Sequence, residues 1–131
     1  MVTDVAFPES EFVILCVDDE PIPLKLRKLV LEKQGYRVVV ATSGSEALET
    51  LGRQRIDLVL TDLLMPGVSG TELARRAKER APQVPVVLFS GVNEVPEDAR
   101  YADLFLSKME GPAAMCEKIG QLLAKSAKSS S

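Results

Sequence analysis

A chain of 131 residues fits one domain. With 46% hydrophobic and 27% charged residues it can bury a core, and its net charge of −3 argues against a protein built to coat nucleic acid. Histidine is absent, which removes histidine triads, histidine metal sites and histidine general-base chemistry. The two cysteines, Cys16 and Cys116, show no CxxC or metal-finger spacing.

From the N-terminus, residues 1–10 are expected to form a loose leader, with no basic-plus-apolar signal segment. No later run is long enough to span a bilayer, so a reducing cytoplasm is the expected location. The folded domain is placed at 11–125, followed by a small polar tail at 126–131. Short apolar runs then alternate with amphipathic stretches. The run Phe12 to Val17 ends in Asp18-Asp19-Glu20, and Cys16 within it reads as a small buried hydrophobe. Pro21-Ile22-Pro23 opens a helix whose apolar face is expected at Ile22, Leu26, Leu29 and Val30, with Lys33 beside them, and Gly35 ends it.

A second run covers Tyr36 to Ala41. Ser43 to Glu46 then has capping-box spacing ahead of Ala47, Leu48 and Leu51. The run Ile56 to Thr61 drives into Asp62, and Met65-Pro66-Gly67 follows as a turn. Met65 reads as loop packing, and Gly67 and Gly70 as turn glycines. Ser69 to Glu72 repeats the capping spacing before Leu73, Ala74 and Ala77. Val84 to Ser90 and Ala102 to Ser107 are the last two strands. The segment between them leaves room for about two helical turns, so a short or irregular fourth helix is expected there. Gly111-Pro112 opens the last helix, with Met115, Ile119, Leu122 and Leu123 inward. Strand–helix alternation of this kind predicts an α/β fold, a doubly wound five-stranded parallel sheet with helices on both faces.

In such sheets ligands bind beyond the carboxyl ends of the strands. Those ends carry Asp18-Asp19, Asp62, Ser90-Gly91 and Lys108. Singly, each has an ordinary reading as a turn acid, a cap or a surface amine; chance does not readily put all five on the same edge. Crowded carboxylates repel, by roughly 4 kcal/mol per pair at about 4 Å and an effective dielectric constant near 20. They call for a cation, and an all-oxygen, partly wet donor set suits Mg²⁺ better than Zn²⁺. Lys108 can neutralise Asp62 as well.

The pieces "ILCVDDEP", "LVLTDLLMPGVSG", "VPVVLFSG" and "FLSK" resemble the receiver domain of two-component response regulators, over roughly Phe12 to Lys125. The resemblance implies a flavodoxin-like, CheY-like sheet of strand order 2-1-3-4-5. It implies that Asp62 is the phosphoacceptor, served by a histidine kinase or a histidine phosphotransfer protein. Asp19 and Asp62 with the backbone carbonyl of Leu64 would ligate Mg²⁺ (or Mn²⁺), Asp18 acting largely through water. Ser90 would bond a phosphoryl oxygen, Lys108 would pair with Asp62 and then with the phosphoryl group, and Phe105 would be the switching aromatic. Leu64 and Val92 would flank that group and hinder hydrolytic water.

Two departures stand out. The family commonly has Lys-Pro after the fifth strand where this chain has Lys108-Met109, so either the loop differs or a non-proline cis bond costs about 3 kcal/mol. The segment before Lys108 is also short, which puts the family's usual output surface in question. The expectation is a single-domain receiver, a monomer or weak dimer signalling by contact with a downstream protein or by phosphorelay, without nucleic acid or membrane contact. It is not a turnover enzyme. The alternatives are an inactive pseudo-receiver scaffold, an Asp-nucleophile phosphatase, disfavoured because Leu64 stands where a general acid is needed, and a flavin module, disfavoured by low aromatic content.

Overall fold

The computed structural model describes residues 12–91 and 100–129. Five short strands form one parallel sheet: β1 (Val13–Val17), β2 (Arg37–Ala41), β3 (Leu58–Asp62), β4 (Val86–Ser90) and β5 (Leu104–Ser107), in the order β2-β1-β3-β4-β5. The connecting helices are α1 (Pro21–Lys33), α2 (Gly44–Arg53) and α3 (Gly70–Arg80), and α4 (Gly111–Ser129) closes the chain. The strand order is the flavodoxin-like one anticipated. Helix α4 extends into the stretch expected to be a polar tail. The short or irregular fourth helix falls on residues 92–99, outside the described residues; Arg100 and Tyr101 lead into β5 as a 3₁₀ turn.

Side chains alternate across the sheet with period two, and this alternation decides what the site is made of. Leu15, Val17, Val59 and Val86 pack with Ala47, Leu48, Leu73, Ala74 and Ala77 from α2 and α3. Ile14, Cys16, Leu58, Leu60, Val87 and Leu106 pack with Leu24 and Leu31 of α1 and Met115, Ile119 and Leu123 of α4. Continuing the count, Asp18, Asp62, Phe89 and Lys108 leave the strand ends on the α1/α4 side, and Ser90 on the other.

The local signals explain most of the helices. Ser43 Oγ accepts from Glu46 N–H at 3.1 Å, and Ser69 Oγ from Glu72 N–H at 3.2 Å, opening α2 and α3. Gly35 ends α1 at φ +94°, a conformation that favours glycine.

Helix α1 corrects the expected face. Ile22, Leu26 and Leu29 are 72%, 59% and 49% exposed, whereas Leu24, Arg27 and Leu31 are buried. Val30 is half-buried and Lys33 exposed. Leu24, Arg27 and Leu31, at i, i+3 and i+7, form a competing helical stripe. The competing stripe puts two leucines into the core and an arginine onto Asp18.

Candidate functional site

At the carboxyl edge of the sheet, carboxylate oxygens of Asp18, Asp19 and Asp62 all lie within 4.8 Å of one another. Asp18 is fully buried and Asp62 nearly so, while Asp19 faces solvent. Lys108 Nζ lies 2.7 Å from Asp62 Oδ1, its side chain about one-third exposed. The sequence therefore named three acids and an amine that the fold brings to one place.

Ser90 is buried at the end of β4, opposite Ser107 of β5. Phe105 is half-buried in a small cluster with Leu63, Leu88 and Ala102, on the side of the sheet that Ser90 faces. Leu64 directly follows Leu63 in the loop after β3, with its side chain 69% exposed. Met65 is buried against the α2/α3 core, in keeping with a packing role. Val92 lies outside the described residues.

The loop that presents Lys108 differs from a Lys-Pro loop. No cis peptide bond occurs among the described residues. Lys108–Glu110 is instead a 3₁₀ turn capped by Ser107. The Ser107 Oγ accepts from Met109 N–H at 3.1 Å, and Glu110 Oε2 accepts from Ser107 N–H at 3.2 Å. Gly111 then reverses the chain at φ +86°. A reciprocal cap thus holds the lysine where a proline would otherwise stiffen the turn.

Two residues of the site went unnamed in the sequence reading. Arg27 Nη2 donates to Asp18 Oδ2 at 2.8 Å, and Glu20 N–H donates to Asp18 Oδ1 at 2.9 Å. The Arg27 guanidinium lies 4.7 Å from the centre of the Phe89 ring, and Lys108 Nζ lies 5.9 Å from it. Phe89 is thus a platform beneath both cations. The available signal was Arg27's place on the Leu24–Leu31 stripe, which becomes visible once the helix phase is known.

Beneath the site, burial pushes the Cys16 thiol up to about 11, opposed in part by the neighbouring Arg27. Cys16 is an inert core residue.

Gly70 opens α3 against the end of β3. A Cβ there would stand 2.3 Å from the Asp62 carbonyl oxygen and 2.9 Å from Leu63 Cα. Gly70 N–H donates to Leu63 O at 2.9 Å. Gly70 is therefore a close-approach glycine at a helix start, whereas Gly67, at φ +74°, is a turn glycine.

Residues 14–120 match the family model described as the response regulator receiver domain. The chain belongs to that family. The receiver is 35% identical over 118 residues to transcriptional regulatory protein GlrR of Escherichia coli, covering 87% of this chain and 27% of that protein. It spans roughly a quarter to two-fifths of the first curated relatives it matches. Among solved structures, a CheY-like receiver domain protein from Methanospirillum hungatei superposes with a TM-score of 0.85 at 30% identity, covering 92% of this chain and 99% of that one. Response regulator TrrA of Thermotoga maritima, solved in complex with Mg²⁺-BeF, gives 0.81 at 31% identity over 85% and 98% of the two chains. The donor set of this receiver fits a hard divalent cation: oxygen atoms only, close together, one of them wet.

Proposed function

We propose that this receiver takes a phosphoryl group onto Asp62 from the phosphohistidine of a histidine kinase or histidine phosphotransfer protein. The observation that carries this reading is the Lys108–Asp62 contact at 2.7 Å beside three acid oxygens within 4.8 Å of one another. An Asp62 oxygen attacks phosphorus, the P–N bond breaks, and imidazole leaves with that electron pair and a proton. Phosphoryl transfer asks the protein mainly for position and charge. Asp62 is fixed by its place at the end of β3, where Leu63 N–H donates to Phe89 O at 3.0 Å. Lys108 is held by the Ser107 cap, within reach of the oxygens that gain charge.

Asp18, Asp19, Asp62 and the Leu64 carbonyl would hold Mg²⁺ (or Mn²⁺), which would supply positive charge to the transferring group. Once Asp62 carries the phosphoryl group as an acyl phosphate, Ser90 supplies a hydroxyl to a phosphoryl oxygen. Phe105, packed in its four-residue cluster, takes up the space this vacates. The phosphoryl group biases two arrangements of that cluster, which is a population shift.

The exposed Ile22, Leu26 and Leu29 begin three residues after Asp19, and Leu64 and Met109 add apolar surface from two loops at the same edge. Such a patch beside the phosphoacceptor suits a partner that must bring a histidine to Asp62. The chain acts by protein contact without touching nucleic acid or membrane. No helix among the described residues is long and apolar enough to cross a membrane.

The test is intact mass after incubation with acetyl phosphate or phosphoramidate and Mg²⁺. The native chain should gain one phosphoryl group and Asp62→Asn none. No gain in the native chain sinks the reading in favour of a scaffold, and continuous phosphate release from unrelated esters would favour a phosphatase.

A further inference from the structure

Arg27 is an expensive way to fill its position. It stands between buried Leu24 and Leu31, and a leucine or methionine would continue that face. Its Nη1 is buried with no hydrogen-bond partner, and such groups are costly. A buried ion pair is seldom more stabilising than apolar packing of similar volume. What Arg27 gains is specific: a 2.8 Å contact to fully buried Asp18, braced on the Phe89 ring.

The consequence lies in the charge of the site. Three carboxylates face two fixed cations, Arg27 on Asp18 and Lys108 on Asp62, which leaves a net charge of about one negative. Asp19 makes no ion pair among the described residues. With both Asp18 oxygens already accepting hydrogen bonds, from Arg27 and from Glu20 N–H, Asp18 is the acid least available to an incoming cation.

We propose that Arg27 is a positioning residue that acts through Asp18 as a built-in counter-ion, competing with the divalent cation and keeping its affinity low. The inference rests on the phosphoacceptor reading of the site. It implies a receiver whose charging responds to the cation concentration around it, since the occupied fraction changes most where affinity is weak. Removing one positive charge from beside a dication should tighten binding about tenfold or more, the effect expected at about 6 Å even with the dielectric constant of water.

The test is Mg²⁺ titration by calorimetry, with thermal denaturation with and without Mg²⁺ at matched ionic strength, on the native chain, Arg27→Met, Arg27→Gln and Arg27→Lys. Arg27→Gln can keep a donor near Asp18 without the charge. Both neutral variants should bind Mg²⁺ about tenfold more tightly and gain more in melting temperature from it, while Arg27→Lys stays near native. A neutral variant that folds only when Mg²⁺ is present gives the same answer in extreme form. Unchanged or weaker binding in both neutral variants, or failure of both to fold even with Mg²⁺, overturns the proposal and leaves Arg27 a structural arginine. If the native chain and every variant bind no Mg²⁺, the phosphoacceptor reading fails and this proposal with it. Native binding with no gain in the neutral variants sinks only the counter-ion role.

Discussion

Replacing Gly70 by alanine tests whether Asp62 is positioned by the packing of α3 on the end of β3. The added Cβ would stand 2.3 Å from the Asp62 carbonyl oxygen, whereas real Cβ contacts essentially never fall below 3.0 Å. The gap of about 0.7 Å must come from backbone, because the atoms met are Asp62 O, Leu63 Cα and Asp62 C and no flexible side chain can yield. Overpacking of this kind costs about 1–3 kcal/mol. A phosphoacceptor displaced by a large fraction of an ångström should lose up to about 100-fold in rate. The assay is phosphorylation by acetyl phosphate followed by intact mass, beside urea denaturation. Gly52→Ala is the control: it lies in α2 with nothing within 4 Å of the new Cβ, and should raise stability by about 0.5–1 kcal/mol with the phosphorylation rate unchanged. Native stability and native rate in Gly70→Ala would refute the reasoning.

Leu26→Asp, on the exposed face of α1, should leave acetyl phosphate labelling within twofold of native. It should slow transfer from the cognate kinase about tenfold or more, as loss of an interface anchor would; equal slowing of both reactions would refute the docking role. Burial of Cys16 raises its folded pKa from 9.0 to about 11, so its contribution is fully present below pH 9 and is lost as pH rises toward 11. The native chain should therefore lose about 2 kcal/mol more than Cys16→Ala over that window, measured as denaturation midpoints, and equal slopes would count against the burial argument. On the proposal that the exposed Leu64 hinders hydrolytic water, the acyl phosphate should outlast minutes in the native chain and decay several-fold faster in Leu64→Asn. Native decay within seconds, followed by mass spectrometry, would rule that out.

How much could be read beforehand follows from which signals are local. Runs such as Ile56 to Thr61 announce a buried strand, and a charge at the end of one falls on the ligand-binding edge by topology alone. Asp18, Asp19, Asp62, Ser90 and Lys108 needed no more than that to be brought to one edge. The phase of α1 was not legible, because leucine occurs on both of its stripes, and apolar periodicity cannot rank Ile22-Leu26-Leu29 against Leu24-Arg27-Leu31 when one stripe carries a charge. Only the three-dimensional pairing with Asp18 ranks them. Gly70 was misjudged for a related reason. Its requirement comes from the crossing of α3 over β3, a contact between segments that turn chemistry does not encode.

The exposed face of α1 and the buried arginine are one fact seen from two sides. Rotating α1 to bury Ile22, Leu26 and Leu29 would gain about 1.5–3 kcal/mol for each. The same rotation would expose Leu24 and Leu31, now almost wholly buried, so most of that gain cancels. It would also pull Arg27 from Asp18, and leaving a buried charge unpaired costs about 3–5 kcal/mol. The ion pair therefore sets the helix phase, and the exposure of Ile22, Leu26 and Leu29 is its by-product. A neutral residue at position 27 removes that constraint. If the helix then turned, kinase transfer would fall together with the exposure of Leu26. If it stayed, cation affinity alone would change, and chemical labelling of Leu26→Cys in both backgrounds distinguishes the two.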